Sequence, residues 1–323
     1  MIRRLVWLAL WPLGFLVGVG AVATLGRFGD KSDAQLVSDL LGGWAFMATG
    51  LIAWRRLPDR RIGPISILVG FAWFVGSYAP SGSPAVRYFA EAFQGWFVPL
   101  TAWLALAYPS GRVRQRAGRA VLVAWFGLQA AWTGLRLGLL VPLAWYPCPT
   151  CPGSVSAFAW TQSLVETIGP AFGILFSLCG VATVVVLALR LVHETPVGRR
   201  RLLPVALAAT LISGTLAAVE IERAIGAGLF PHGLTAALLN ALSIAVAAAV
   251  LAGLLAEQAS RSAVADVVAG LDDGTSVASL QTALAAALGD DSIRVLAWDA
   301  ASAAYVDEHG MPTDPPAPDS ATG

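Results

Sequence analysis

The sequence predicts an all-α polytopic membrane helical bundle of about eight transmembrane helices, with a short, incomplete α/β cytoplasmic segment at its C-terminal end. Three observations lead there. Of the 323 residues, 57% are hydrophobic and 13% are charged, with mean hydropathy +0.69. A soluble domain carries about 25% charged residues. Apolar runs of the length that crosses a hydrocarbon core as a helix recur eight times along the chain. Charge is also segregated. From Glu257 onward, eleven acidic residues stand against Arg261 and Arg294, a net of −9, while the remainder holds 19 basic and 9 acidic residues, a net of +10. Two parts of one chain with opposite charge occupy different solvents.

The spans read in order as follows. Met1-Ile-Arg-Arg4 precedes the run Leu5–Leu25. This resembles a secretory signal with its basic start and small residues at Ala21-Val-Ala23, but further spans follow, so it is read as an uncleaved first span. The second covers about Gln35–Trp54, the third Ile62–Ala79, and the fourth about Phe89–Tyr108. The fifth is Ala120–Leu143, the sixth about Ser163–Val192, and the seventh Leu202–Ile225. The eighth runs from Gly233 to Leu255 and turns polar at Glu257 with no proline or glycine stop, so the helix is expected to continue into water. Small residues such as Gly42-Gly43 and Gly50 permit close helix contact in lipid. The tryptophans inside spans, among them Trp44, Trp73, Trp96, Trp125 and Trp132, are read as packing.

Beyond residue 258, the segment 259–311 is expected to hold a continuing helix, an amphipathic helix over Ser276–Leu288, a strand in Ile293–Asp299 and a second near Ala303–Asp307. Two strands and a helix are too little for an independent core. Residues 312–323 are rich in proline and lack an apolar pattern, which predicts disorder.

Eight spans place alternate loops on opposite sides. Fifteen basic residues fall on one side, and only Arg27, Lys31 and Arg87 on the other. The basic side of a membrane protein is cytoplasmic, which predicts a multi-pass protein of the cell membrane with both termini in the cytoplasm. Topology accounts for the basic loops, so nucleic acid is not an expected partner; the lipid bilayer is.

Signals for catalysis are weak. His193, His232 and His309 are scattered, with no Cys or His at metal-ligand spacing, and neither a phosphate-binding Gly-rich loop nor a nucleophile elbow occurs. No cofactor and no metal are expected. Cys148-Pro-Thr-Cys151 lies in an outer loop, where a disulfide, two plain thiols or a redox or metal site are all open. Charged residues inside spans are candidates by default, because burying them in lipid is costly. Arg136, Glu166, Glu220, Glu222 and Arg223 all fall toward the outer helix ends. Arg136, Glu166, Glu220 and Arg223 form the candidate polar sensing pocket, with Glu220 and Arg223 spaced to pair on one helix and Arg136 and Glu166 placed to pair between neighbours.

Several strings carry a family likeness: Gly42-Gly-Trp-Ala-Phe-Met-Ala-Thr-Gly-Leu-Ile-Ala-Trp-Arg-Arg56 with Pro58-Asp-Arg-Arg-Ile-Gly-Pro64, then Ala107-Tyr-Pro-Ser-Gly-Arg112, the Cys-Pro-x-x-Cys-Pro loop, and the helix–strand–turn–strand of Leu280–Val306. On these strings the chain resembles the membrane-input region of actinobacterial two-component sensor histidine kinases, a polytopic N-terminal region followed by the start of a GAF-like domain. The resemblance implies signal sensing, a homodimer partner and a separate kinase or response regulator. It does not imply kinase activity here, because the phosphoacceptor helix and the ATP-binding motifs have no counterpart in these residues. The other class to weigh is a small-molecule or ion permease.

The charge asymmetry generates a topology prediction. Reporter fusions at Pro149 and at Gly118 should report outside and inside respectively; both on one side would sink the eight-span arrangement.

Overall fold

A computed structural model describes residues 2–29, 31–57, 61–139, 160–225, 232–269, 277–288, 294–299, 303–307 and 311–314. Its elements are α1 (Ile2–Phe28), α2 (Asp33–Arg56), α3 (Ile62–Val75) with a 3-10 turn at Gly76–Tyr78, α4 (Pro84–Phe93), α5 (Phe97–Ala107), α6 (Arg116–Leu139), α7 (Trp160–His193), α8 (Pro196–Ile225), α9 (His232–Ala269), α10 (Val277–Leu288), β1 (Ala297–Asp299) and β2 (Ala304–Val306). Among the described residues, six helices are long and apolar enough to cross a membrane: α1, α2, α6, α7, α8 and α9.

Their surfaces are inverted relative to a soluble bundle. Leu8, Leu16, Val123, Leu178, Val192 and Leu211 are exposed, whereas Asp39, Thr49, Ser66, Glu91, Gln129, Arg136, Thr183 and Asn240 are buried. Water would penalise that exposure, and hydrocarbon does not. The protein is an all-α membrane bundle.

The chain divides into two compact units, Met1–Leu189 with Leu203–Leu251, and Arg190–Leu202 with Ala252–Gly323. In the first, α2 opens with a capping box: the Ser32 hydroxyl accepts from the Gln35 amide, and Gln35 Oε1 accepts from the Ser32 amide at 3.0 Å. α2 then packs antiparallel on α3 through glycines spaced seven apart on each helix, Gly43 and Gly50 against Gly70 and Gly63. A methyl group at Gly50 would lie 2.7 Å from the Gly63 carbonyl oxygen, and one at Gly70 would lie 2.9 Å from the Gly43 carbonyl oxygen. Only hydrogen fits there, and the backbones meet directly. Ser66 Oγ seals the contact by donating to the Phe46 carbonyl at 2.8 Å.

Tryptophan and tyrosine donors tie helices to one another. Trp44 Nε1 donates to the Gly14 carbonyl (3.3 Å), Tyr78 OH to Val17 (2.7 Å), Trp73 Nε1 to Asp39 (2.9 Å) and Trp125 Nε1 to Thr183 Oγ1 (3.0 Å). The ring donors of Trp44, Trp73 and Trp125 are thus each satisfied within the bundle.

The fourth span departs from expectation. Instead of one helix over residues 89–108, the chain breaks at Gln94-Gly95-Trp96 into α4 and α5. Gly95 sits at φ +89°, a left-handed conformation that ends α4, and Pro99 supplies no amide hydrogen to the first turn of α5, where none is needed. Each piece is about 15 Å long, half the hydrocarbon thickness.

In the second unit, Arg199 donates to the carbonyls of Leu191 (3.0 Å) and Val192 (3.3 Å), two of the last acceptors of α7. Strands β1 and β2 pair antiparallel with Trp298 opposite Tyr305, whose rings meet edge to face at 5.1 Å. Gln281 of α10 accepts from the Val295 amide at 2.9 Å. The tail from residue 315 onward lies outside the described residues.

The glycine contact generates a paired test. Gly50→Ala should lower thermal stability in detergent by about 1–3 kcal/mol, the usual cost of overpacking. Gly134→Ala, where nothing lies within 4 Å of the added methyl, should be neutral or stabilising. Equal melting shifts would remove the glycine contact from the account.

Candidate functional site

Within the first unit, a cavity of about 530 Å³ opens between α1, α2, α3, the α4–α5 break, α6, α7, α8 and α9. Its size falls in the range of small-molecule sites. Trp73, Phe97, Trp125, Trp132 and Phe176 give it aromatic walls, while Lys31, Asp39, Gln94, Gln129, Arg136, Asn240 and Ser243 supply polar groups.

Two clusters organise the polar part. In the first, Asp39 is 8% exposed on α2. One carboxylate oxygen takes the Lys31 ammonium, and the other accepts from Asn240 Nδ2 at 2.6 Å. The same amide donates to Ser38 Oγ at 2.8 Å. Helix α9 is therefore held to α2 by a carboxylate whose charge is balanced from the α1–α2 loop. Farther along the same pair of helices, Thr49 Oγ1 donates to the Ala247 carbonyl at 3.1 Å.

The second cluster is built on the break. Ending α4 at Gly95 leaves its last carbonyls without intrahelical donors. Arg136, 7% exposed in the last turn of α6, donates from Nη1 to the Glu91 carbonyl at 2.5 Å. With the Gln94 amide turned so that its oxygen faces the guanidinium, that oxygen accepts from Nη1 at 2.6 Å and Nη2 at 2.7 Å. Gln129 Nε2 donates to the Gln94 backbone carbonyl at 3.3 Å. A cation at a helix C-terminus is also favoured by the helix dipole. Arg136 stands over the Trp132 ring, 5.5 Å from its centroid. On α4 itself, Arg87 Nε pairs with Glu91 Oε1 at 2.9 Å.

Of the four residues of the expected sensing pocket, Arg136 lines this cavity. Glu166 falls within α7, and Glu220 and Arg223 within α8, but their side chains lie outside the described residues, as do Cys148 and Cys151 entirely. Sequence reasoning missed Asp39, Glu91, Lys31, Gln94 and Asn240. The first two were findable: each is an acid inside an apolar span, the same signal that marked Arg136. Among the described residues, no group of three or more His, Cys, Asp or Glu is placed to hold a metal ion.

Chemically, the arrangement offers binding. Aromatic faces, amide groups and fixed charges surround a space of ligand size. No family model matches the chain, and neither a curated protein nor a solved structure does.

The first cluster yields a stability test. Asp39→Leu removes the partner of the half-buried Lys31 ammonium and one of the two acceptors of the Asn240 amide, and should cost about 1–3 kcal/mol. Adding Lys31→Met should recover much of the loss, because replacing both members of a pair with apolar groups is mild. Equal loss in the single and double variants, measured by thermal unfolding in detergent, would show that the pair is not coupled.

Proposed function

We propose that the chain is a membrane-embedded signal-sensing input module of the two-component histidine-kinase type, and that the cavity is where the signal is received. One observation supports this above the others. Helix α9 carries Asn240 and Ser243 in the cavity wall and continues as helix to Ala269, 38 residues in all and about 57 Å long. That length exceeds what a bilayer needs, so the helix that meets the ligand is also the one that enters water. The family likeness in the sequence points the same way. Input of this kind needs a partner that carries phosphoryl chemistry, a separate kinase or response regulator, and the parallel output helices of a homodimer.

The proposal includes eight crossings of the plasma membrane: six long helices, α3 with its 3-10 turn, and α4 with α5 as one broken crossing. Both termini are then cytoplasmic. On that topology the polar lining residues Asp39, Gln129, Arg136 and Asn240 fall in the outer halves of their crossings, and Lys31 and Arg87, two of the few basic residues on the outer side, balance acids beside or near the cavity. The segment after residue 258 is then the start of a GAF-like domain.

A second reading, a small-molecule or ion permease, is favoured by the break itself. Discontinuous helices lining a polar site are a feature of transporters.

The two readings separate on the exit helix. In a chain whose native cysteines are replaced by serine and which carries Ala263→Cys, Asn240→Leu should change the rate of maleimide modification by about fivefold, the low end of ordinary coupling energies. An unchanged rate in a normally inserted protein overturns the input reading.

A further inference from the structure

The geometry at Arg136 also indicates what the cavity binds, an inference that rests on reading this cavity as the input site. We propose that the Gln94 amide keeps the seat of a ligand carboxylate on Arg136, and that the ligand is a small planar aromatic carboxylate.

The Gln94 oxygen accepts from both Nη1 and Nη2, at 2.6 and 2.7 Å. A single amide oxygen thus occupies the edge on which both Nη groups point; a carboxylate there can set one oxygen on each in two parallel, charge-assisted bonds, stronger than those of an amide. Gln94 sits at the helix break rather than within a helix. A ligand carboxylate that displaces the amide exchanges a neutral acceptor for a charged one while the Glu91 carbonyl keeps its bond to Arg136. The first turn of α5 lines the cavity at Phe97 and Val98, so the positive end of a helix dipole lies along the same wall. Lys31 and Arg136 are the cations of the described lining, and Asp39 is its acid.

The rest of the cavity fits a ring. Trp73 meets Phe97 edge to face at 4.9 Å, and Trp125 stacks with Phe176 at 5.8 Å. Trp132 lies beneath the guanidinium. Aromatic faces on α3, α5, α6 and α7 thus surround a polar end at the break. A flat hydrophobic body with one carboxylate satisfies both parts, whereas an aliphatic anion would forgo the ring contacts and an aromatic amine would meet the Arg136 cation at the polar end, Lys31 being balanced by Asp39.

The test compares three probes of one ring system, naphthoate, naphthamide and naphthylmethylamine, by titration calorimetry on the full chain in lipid nanodiscs, with empty nanodiscs as the blank. The parent should bind naphthoate saturably and at least about tenfold more tightly than naphthamide, the worth of one charge-assisted hydrogen bond, with naphthylmethylamine weakest. Gln94→Glu places a carboxylate of the chain's own on Arg136 and should abolish the preference for naphthoate; Gln94→Ala vacates the seat and should keep or strengthen it. Equal or tighter binding of the amide or the amine, no saturable naphthoate binding by the parent, or parent-like naphthoate binding by Gln94→Glu would each overturn the assignment. The probe series uses the parent alone, so it stands even if a variant fails to fold. Naphthoate binding that leaves the Ala263→Cys probe unmoved supports the ligand class and refutes the input reading. A response to Asn240→Leu without naphthoate binding does the reverse.

Discussion

Hydrocarbon offers no hydrogen-bond partner, and the whole bundle follows from that constraint. Every backbone amide and carbonyl inside the bilayer must be satisfied by the protein itself. Continuous helices meet the demand automatically; a broken one does not. The break between α4 and α5 frees carbonyls inside the bundle, and the structure answers with Arg136 on Glu91 and Gln129 on Gln94. A charged side chain that would be expensive alone becomes economical as a helix cap, since its donors are needed there. The break, the buried arginine and the cavity are one feature: irregular backbone at membrane depth requires a protein or aqueous lining.

The same constraint orders the packing around it. Where nothing polar is required, α2 and α3 exclude side chains altogether and meet at Gly43, Gly50, Gly63 and Gly70. Where α9 joins α2, direct backbone contact gives way to a polar seam of Asp39, Asn240, Ser38, Thr49 and Ala247. The two contacts have different mechanical consequences. Glycine packing loses its dispersion energy steeply with separation, which makes α2–α3 rigid. The α2–α9 contact rests instead on a few directed bonds between side chains and one backbone carbonyl.

Much of this was legible in the sequence. Apolar runs gave α1, α2, α6, α7, α8 and α9 nearly to their ends, because length and hydropathy alone decide a crossing. The small residues of α2 announced a close contact, although the partner glycines on α3 emerge only when the two helices are laid antiparallel. The division of Phe89–Tyr108 into α4 and α5 is not legible because hydropathy registers no break: the stretch is apolar as a whole, and Gly95 is one glycine among many. Its left-handed conformation is a tertiary outcome, held by side chains far along the chain. Arg136 stands out as a charge in a span, whereas the side chain of Glu166, expected beside it, lies outside the described residues. A carbonyl freed by a helix break is invisible in a string of side chains. Asp39 escaped notice for a simpler reason: Lys31, its counter-charge, was counted as a loop cation.

A ligand can shift a conformational equilibrium only by its differential affinity for the two states. A cavity formed wholly by rigid helix faces would bind without consequence. Here the polar end of the cavity lies on the element whose geometry depends on what Arg136 holds. With Gln94 on the guanidinium, the end of α4 and the start of α5 are tied through one residue at the break. A carboxylate in that seat releases Gln94 and the segment around Gly95 from the guanidinium while Arg136 still caps Glu91. On the proposed reading, the bound and free states then differ in the constraint on the break. A bias of a few kcal/mol moves a two-state element from mostly one form to mostly the other, and exchanging an amide for a carboxylate on a buried guanidinium is of that order.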